Sequence, residues 1–120
     1  MKEEAKPWLE KADQKTNYPK VEKIVKDFAK ELSKHIPVQK AILFGSYALG
    51  NPQKDSDIDI VFISPKFKGV DGLKRFDIIA KARKNYEYPM DYFGFTPEEY
   101  DKASYQATLG EVKETGKVIY

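Results

Sequence analysis

The 120-residue chain is 33% charged and 41% hydrophobic, with no cysteine and 21 basic against 19 acidic residues, a net charge of +2. Disulfides and cysteine-bound metal are excluded, and the near balance of charge gives no global field that would make direct nucleic-acid binding the expected function, so an anionic substrate must be handled by a local site. The length suits one core, no apolar run approaches the roughly 18 to 20 residues that span a bilayer, and Met1-Lys2-Glu3-Glu4 leads into charge instead of a signal-peptide apolar region, so a cytoplasmic single-domain protein is expected.

The first 17 residues carry one bulky apolar pair, Trp8 and Leu9, in an otherwise charged stretch. They are expected to form an arm or short helix ahead of a domain spanning residues 18–120. From Tyr18 the pattern changes: Val21, Ile24, Val25, Phe28, Leu32 and Ile36 recur at spacings of three and four, the stripe of an amphipathic helix that Pro19 opens and Pro37 closes. Val38 to Phe44 reads as a short buried strand running into Gly45-Ser46. The turn-rich stretch from Gly50 to Ser56 then leads to a second strand, Asp57 to Ile63. Ile58, Ile60 and Phe62 point to one face of that strand, and Asp57, Asp59, Val61 and Ile63 to the other. Ser64-Pro65 stops it, and a loop with Gly69 and Gly72 leads to a helix of about residues 73 to 86, with Leu73, Phe76, Ile79 or Ala80, and Arg83 on successive turns. Pro89 opens a third strand, Met90 to Phe95. Thr96-Pro97-Glu98-Glu99 has the capping-box pattern and starts a helix expected to reach Thr115, mildly interrupted by Gly110 and ended by Gly116. The last four residues suggest a terminal strand. The order α, β, β, α, β, α, β implies an α/β fold with a mixed β-sheet flanked by helices.

The acidic strand is the anomaly in this pattern. Burying an ionised carboxylate without a partner is costly, and period-two spacing puts Asp57 and Asp59 side by side, about 7 Å apart along the strand. Two anions so placed repel each other unless a cation lies between them, and a hard cation such as Mg²⁺, held by carboxylates and nucleotide phosphates, suits the site; a solvated strand end is the alternative. Upstream, Gly45 lets the backbone approach a ligand, and the amides and hydroxyl at Gly45-Ser46 suit a phosphate. Downstream, Asp91 interrupts the third strand. If that strand pairs beside the second, Asp91 completes a three-carboxylate cluster able to hold two metal ions or to take the proton of an attacking hydroxyl.

Gly45-Ser46, ten intervening residues, then Asp57-Ile58-Asp59, with Asp91 on a later strand, resembles the minimal nucleotidyltransferases of the DNA polymerase beta superfamily. The string FGSYALGNPQKDSDIDIVF carries the match, and the order of elements fits from about Val21 to Tyr120. The resemblance implies a small α/β nucleotidyltransferase fold, ATP or another nucleoside triphosphate as donor, Gly45 and Ser46 at the triphosphate, and Mg²⁺, as two ions, held by Asp57, Asp59 and Asp91. Asp91 would also assist the acceptor hydroxyl as it attacks the α-phosphorus and releases pyrophosphate. Many stand-alone members of this family are antitoxins paired with a helical HEPN-domain ribonuclease. By that resemblance the partner is a HEPN-type toxin, and the acceptor is its tyrosine hydroxyl, capped with AMP; a chain of this size leaves little room for an acceptor-binding domain of its own.

Relatives often carry arginine in the loop after Gly-Ser, where this chain has Tyr47-Ala48-Leu49-Gly50, so a guanidinium fork for phosphate is missing there. Lys54 in the same loop, or Lys74, Arg75, Lys81, Arg83 and Lys84 on the next helix, could supply a replacement cation. Two further readings stay open: transfer to a small molecule or an RNA end, and a catalytically weak domain that neutralises a toxin by binding alone. His35 is expected to complement the dipole at the end of the first helix. The tyrosines of the second half, Tyr86, Tyr88, Tyr92, Tyr100 and Tyr105, suit core packing or partner contact, and Tyr92 and Phe93 flank Asp91 closely enough to line a nucleotide pocket.

Overall fold

The spacing of apolar residues translates directly into a helix over Pro19–Leu32, α1, with proline in its first turn. This computed structural model describes residues 14–102 and 108–120, so the expected arm, Trp8 included, lies outside the described residues except for positions 14–17, as does Tyr105. Helix α1 buries Val21, Val25, Phe28, Ala29 and Leu32. It stops before the expected Ile36 because Ser33 takes the C-cap, its hydroxyl donating to the Ala29 carbonyl at 2.8 Å, and because Pro37 disfavours helical backbone in the residue ahead of it. Ile36 still packs on the core, whereas His35 is exposed beyond the helix end.

Strand β1 (Lys40–Phe44) runs into a single helical turn, α2 (Ser46–Leu49), then β2 (Ile58–Ile63) and a 3-10 turn over Pro65–Phe67. Helix α3 (Gly72–Ala80) is capped by Asp71, whose Oδ1 accepts from the Lys74 N–H at 3.0 Å. It ends six residues before the expected Tyr86, and Arg83 turns back to donate to the Tyr88 carbonyl at 3.0 Å. Its expected apolar stripe divides: Ile79 is buried, but Leu73 is 82% exposed and Phe76 45% exposed. Strand β3 (Met90–Phe95) has the expected bounds. The single helix expected from Pro97 to Thr115 is two: α4 (Pro97–Asp101), with both halves of the capping box made between Thr96 and Glu99, and α5 (Thr108–Thr115). Strand β4 (Lys117–Val118) closes the chain, and main-chain bonds between Ala41 and residues 119 and 120 carry the contact beyond it.

The sheet order is β3-β2-β1-β4, with β2 and β3 parallel and the other pairs antiparallel. Strand alternation sends Ala41, Leu43, Ile58, Ile60 and Phe62 to one face, where α1 covers them. Phe28 is the centre of that layer, with ring centroids 5.0 Å from Phe62 and 5.5 Å from Tyr92. The opposite face carries Ile42, Phe44, Val61 and Ile63 under Tyr100 of α4 and Leu109 and Val112 of α5. Helices therefore flank a mixed sheet on both sides. Each large apolar side chain so buried contributes on the order of 1.5–3 kcal/mol. Among the described residues no helix is long and apolar enough to cross a membrane.

Candidate active site

The apolar face under α4 and α5 gives way at one end to acids. Register sets Phe44 opposite Asp59 across the antiparallel β1–β2 pair, and Asp59 opposite Asp91 across the parallel β2–β3 pair. These three side chains form one row across the sheet. Asp57 immediately precedes β2 rather than opening it, and lies on the same side as Asp59. Carboxylate oxygens from Asp57, Asp59 and Asp91 all lie within 4.8 Å of one another. The sequence-predicted triad is thus brought together, and the parallel pairing of β2 with β3 is what does it. Asp91 is both an exposed edge residue and a member of the cluster.

Crowded carboxylates show in their proton affinities. The Asp59 carboxyl is pushed up to about 6, first by burial and then by the charges of Asp91, Asp57 and Glu111. Asp91 is also raised, by lost hydration and by the charge and hydrogen bond of Asp57. A divalent cation would offset this repulsion, and carboxylate oxygens in close reach are hard donors of the kind a cation such as Mg²⁺ takes together with phosphate oxygens.

Gly45 sits where β1 enters α2, at φ +76°, a left-handed backbone that favours glycine. A Cβ there would collide with the Asp59 carboxylate. The glycine is therefore required twice, by its dihedral and by the acid packed against it. Ser46 follows as the first residue of α2, so the Gly45-Ser46 turn lies directly beside the acid cluster. Tyr92, expected to flank Asp91, is buried on the opposite face of β3, where it packs with Phe28 and stacks on Phe76 at 4.7 Å. Of these two aromatics it is Phe93 that shares the Asp91 face, 41% exposed and 6.2 Å from Phe44.

Three of the expected replacement cations are engaged elsewhere. Arg75 donates to both carboxylate oxygens of Glu99 at 2.7 and 3.0 Å, Arg83 to the Tyr88 carbonyl, and Lys84 pairs with Glu31 at 3.5 Å. Lys54 remains at a pocket of about 280 Å³ that also takes in Lys20, Tyr47, Ser56 and Tyr88. Leu49, the last residue of α2, is 56% exposed. Glu111 carries no signal in the sequence, since its approach to Asp59 depends on how α5 lies over the sheet.

A sequence profile of the nucleotidyltransferase domain matches residues 22–114. A protein of Methanocaldococcus jannaschii, provisionally named a protein adenylyltransferase, is 30% identical over 95 residues, 78% of this chain and 92% of that one. Among solved structures, a provisionally named nucleotidyltransferase from Sulfolobus solfataricus shares the fold, with a TM-score of 0.64 over 83% of this chain and 79% of that one at 21% identity. A toxin–antitoxin structure solved with AMP-PNP is similar at a TM-score of 0.55 and 25% identity, over 82% of this chain and 72% of that one.

Proposed function

This chain belongs to the nucleotidyltransferase domain family and is a nucleotidyltransferase of α/β, polymerase beta-like fold, and from that premise we propose that it transfers AMP from ATP to a hydroxyl of a partner protein. The observation that carries this reading is the convergence of Asp57, Asp59 and Asp91 beside Gly45. Asp57, Asp59 and Asp91 would hold Mg²⁺, as two ions. When bound, the metal supplies neutralisation of phosphate charge and a template for in-line displacement. Gly45, without a side chain, lets the triphosphate approach the main chain, and Ser46 offers its hydroxyl and amide. Asp91, the exposed member of the triad, would take the acceptor proton as the new oxygen–phosphorus bond forms and the bond to pyrophosphate breaks.

The acceptor we infer is a tyrosine of a HEPN-type toxin, so that the protein acts as its antitoxin in the cytoplasm. Support comes from the likeness to a toxin–antitoxin structure holding AMP-PNP and from the relative named a protein adenylyltransferase. The test is incubation with ATP labelled at the α-phosphate, Mg²⁺ and the product of the neighbouring reading frame. Label on that protein, lost when Asp57 and Asp59 become alanine, is the expected result; labelling that survives both changes, or its absence from wild type, overturns the reading. One observation favours a second reading, neutralisation by binding alone: the last residue of α2 beside the Gly45-Ser46 turn is an exposed leucine, Leu49, which offers no charge to a phosphate. Neutralisation retained by the double alanine variant would decide for it.

A further inference from the structure

A basic pocket lies beside the site described so far. Its volume of about 280 Å³ is at the lower limit of the roughly 300–1,000 Å³ that encloses a whole drug-sized ligand, so it suits one small group. The three segments that supply the acid site also supply its wall: Tyr47 follows Ser46, Ser56 precedes Asp57, and Pro89 lies two residues before Asp91. Successive Cα atoms are about 3.8 Å apart, so the wall begins within one or two residues of the triad and the glycine turn.

The lining is made of hydrogen-bond donors. A turn closed by the Ser56 N–H on the Gln53 carbonyl at 3.1 Å sets Lys54 at its second position, and the Gln53 N–H donates to Ser56 Oγ at 2.7 Å, which leaves the Ser56 proton for a ligand. Lys20 stands in the first turn of α1, where a cation opposes the helix dipole, so its place there does nothing for the helix. Among the described residues neither lysine is in an ion pair, and Glu87, the acid of the lining, is exposed and pairs with neither. Tyr47 is only 9% exposed, its ring held edge-on by Tyr18 at 5.5 Å and Tyr88 at 6.3 Å. Its hydroxyl has no hydrogen-bond partner among the described residues, yet is not sealed from water as that of Tyr86 is. Burial, then the charges of Tyr88 and Tyr18, hold its pKa above the usual value, so at neutral pH it is a protonated donor. Two ammonium groups and two hydroxyls around one small cavity match the oxygens of a phosphate chain, and a nucleoside triphosphate whose α-phosphorus lies at the acids carries two more phosphates.

We propose that this pocket takes the β- and γ-phosphates of the donor nucleotide, with Lys20 and Lys54 as cations and Tyr47 as a neutral donor, and holds the pyrophosphate as it leaves. This rests on the transferase reading above. As the acceptor oxygen attaches to the α-phosphorus, the bond to the bridging oxygen breaks and its electron pair stays on pyrophosphate; the added charge then falls beside two ammonium groups. Residues from α1 and from the loop ahead of β2 thus supply the charge that Leu49 does not.

The first probe is inorganic pyrophosphate, titrated calorimetrically onto the full chain without metal. Lys54→Gln and Lys20→Gln should each weaken its binding by about tenfold or more, and Tyr47→Phe, which keeps the ring contacts, by about fivefold. Lys54→Arg should restore most of the affinity, and Lys34→Gln, beyond the far end of α1, should bind as wild type does. The second probe is α,β-methylene-ATP with Mg²⁺, which cannot transfer AMP. The same three variants should bind it more weakly by the same factors yet bind AMP as wild type does, a split that a loss of folding would not give. Unchanged binding of pyrophosphate and of the analogue by Lys54→Gln and Tyr47→Phe overturns the pocket; label transfer by wild type to the neighbouring gene product would then leave the transferase reading standing. Pyrophosphate binding that depends on Lys54, with no label transferred by wild type, supports the pocket and sinks the protein-acceptor reading. Pyrophosphate that binds undiminished to protein saturated with the analogue assigns the pocket to a separate anion and ends the proposal.

Discussion

The two faces of β2 differ in what they do with the same backbone. On one, Ile58, Ile60 and Phe62 are all buried under α1 and make the larger core. On the other, Val61 and Ile63 are buried under α4 and α5, but Asp59 replaces the apolar residue that the pattern would demand, with Asp57 just ahead of it. A neighbouring strand then doubles the anomaly by setting Asp91 opposite Asp59. One face is built for stability alone; the other gives up part of its apolar packing to hold like charges together, a repulsion that a bound cation would relieve.

Substitution on each face should therefore move different quantities. Asp59→Asn is expected to lower transferase turnover on the order of a thousandfold, from the loss of several kcal/mol of charge stabilisation, measured by label transfer. Without metal the same variant should be as stable as wild type or more so. Phe62→Ala on the opposite face should do the reverse, costing about 3–5 kcal/mol in denaturant unfolding by opening a cavity against Phe28 while the acids stay in place. An Asp59→Asn variant as unstable as Phe62→Ala would erase the distinction between the faces.

Gly45→Ala tests the join between them. The left-handed dihedral costs about 1–3 kcal/mol with a side chain, and the new methyl must displace the Asp59 carboxylate. Activity is expected to fall about a hundredfold from misplacement alone, with weaker Mg²⁺-dependent thermal stabilisation.

The pH dependence sharpens the comparison through its sign. Asp59, raised from 3.8 to about 6, binds its proton more tightly folded than unfolded. Its contribution to metal-free stability is complete below about pH 4 and is lost as pH rises through 6. Glu99, held below 4.5 first by the Arg75 hydrogen bond, acts oppositely: its contribution is present above 4.5 and is lost as pH falls. Thermal unfolding of the metal-free protein between pH 4 and 7 should show the Asp59 loss, absent in Asp59→Asn and suppressed by Mg²⁺. The smallest effect belongs to Glu99→Gln. Its side chain is 42% exposed, so it should cost at most about 1 kcal/mol, seen in urea unfolding near neutral pH and vanishing toward pH 3.

Much of this is legible in the sequence. Strand β3 has its expected bounds, and the two-sided character of β2 follows from alternation alone. The ends of helices were harder, because Ser33 and Arg83 close α1 and the turn after α3 through bonds that no periodicity announces. The exposure of Leu73 and Phe76 is not foretold by the stripe, since α3 packs against the edge strand β3, where Phe76 stacks on Tyr92 and Ile79 alone of the stripe is fully buried.

By itself the sequence determined the local terms: which residues alternate, where a glycine and a serine end a strand, and that acids interrupt apolar runs at Asp57, Asp59 and Asp91. These are properties of neighbours along the chain, written by backbone period and side-chain type. Only the tertiary structure decided that β3 lies parallel beside β2, so that Asp91 meets Asp59, that the Gly45 backbone abuts the Asp59 carboxylate, and that Gln14 covers the β4 edge of the sheet. Those facts depend on contacts between residues tens of positions apart, whose pairing is selected by the burial of whole faces and not by any local preference.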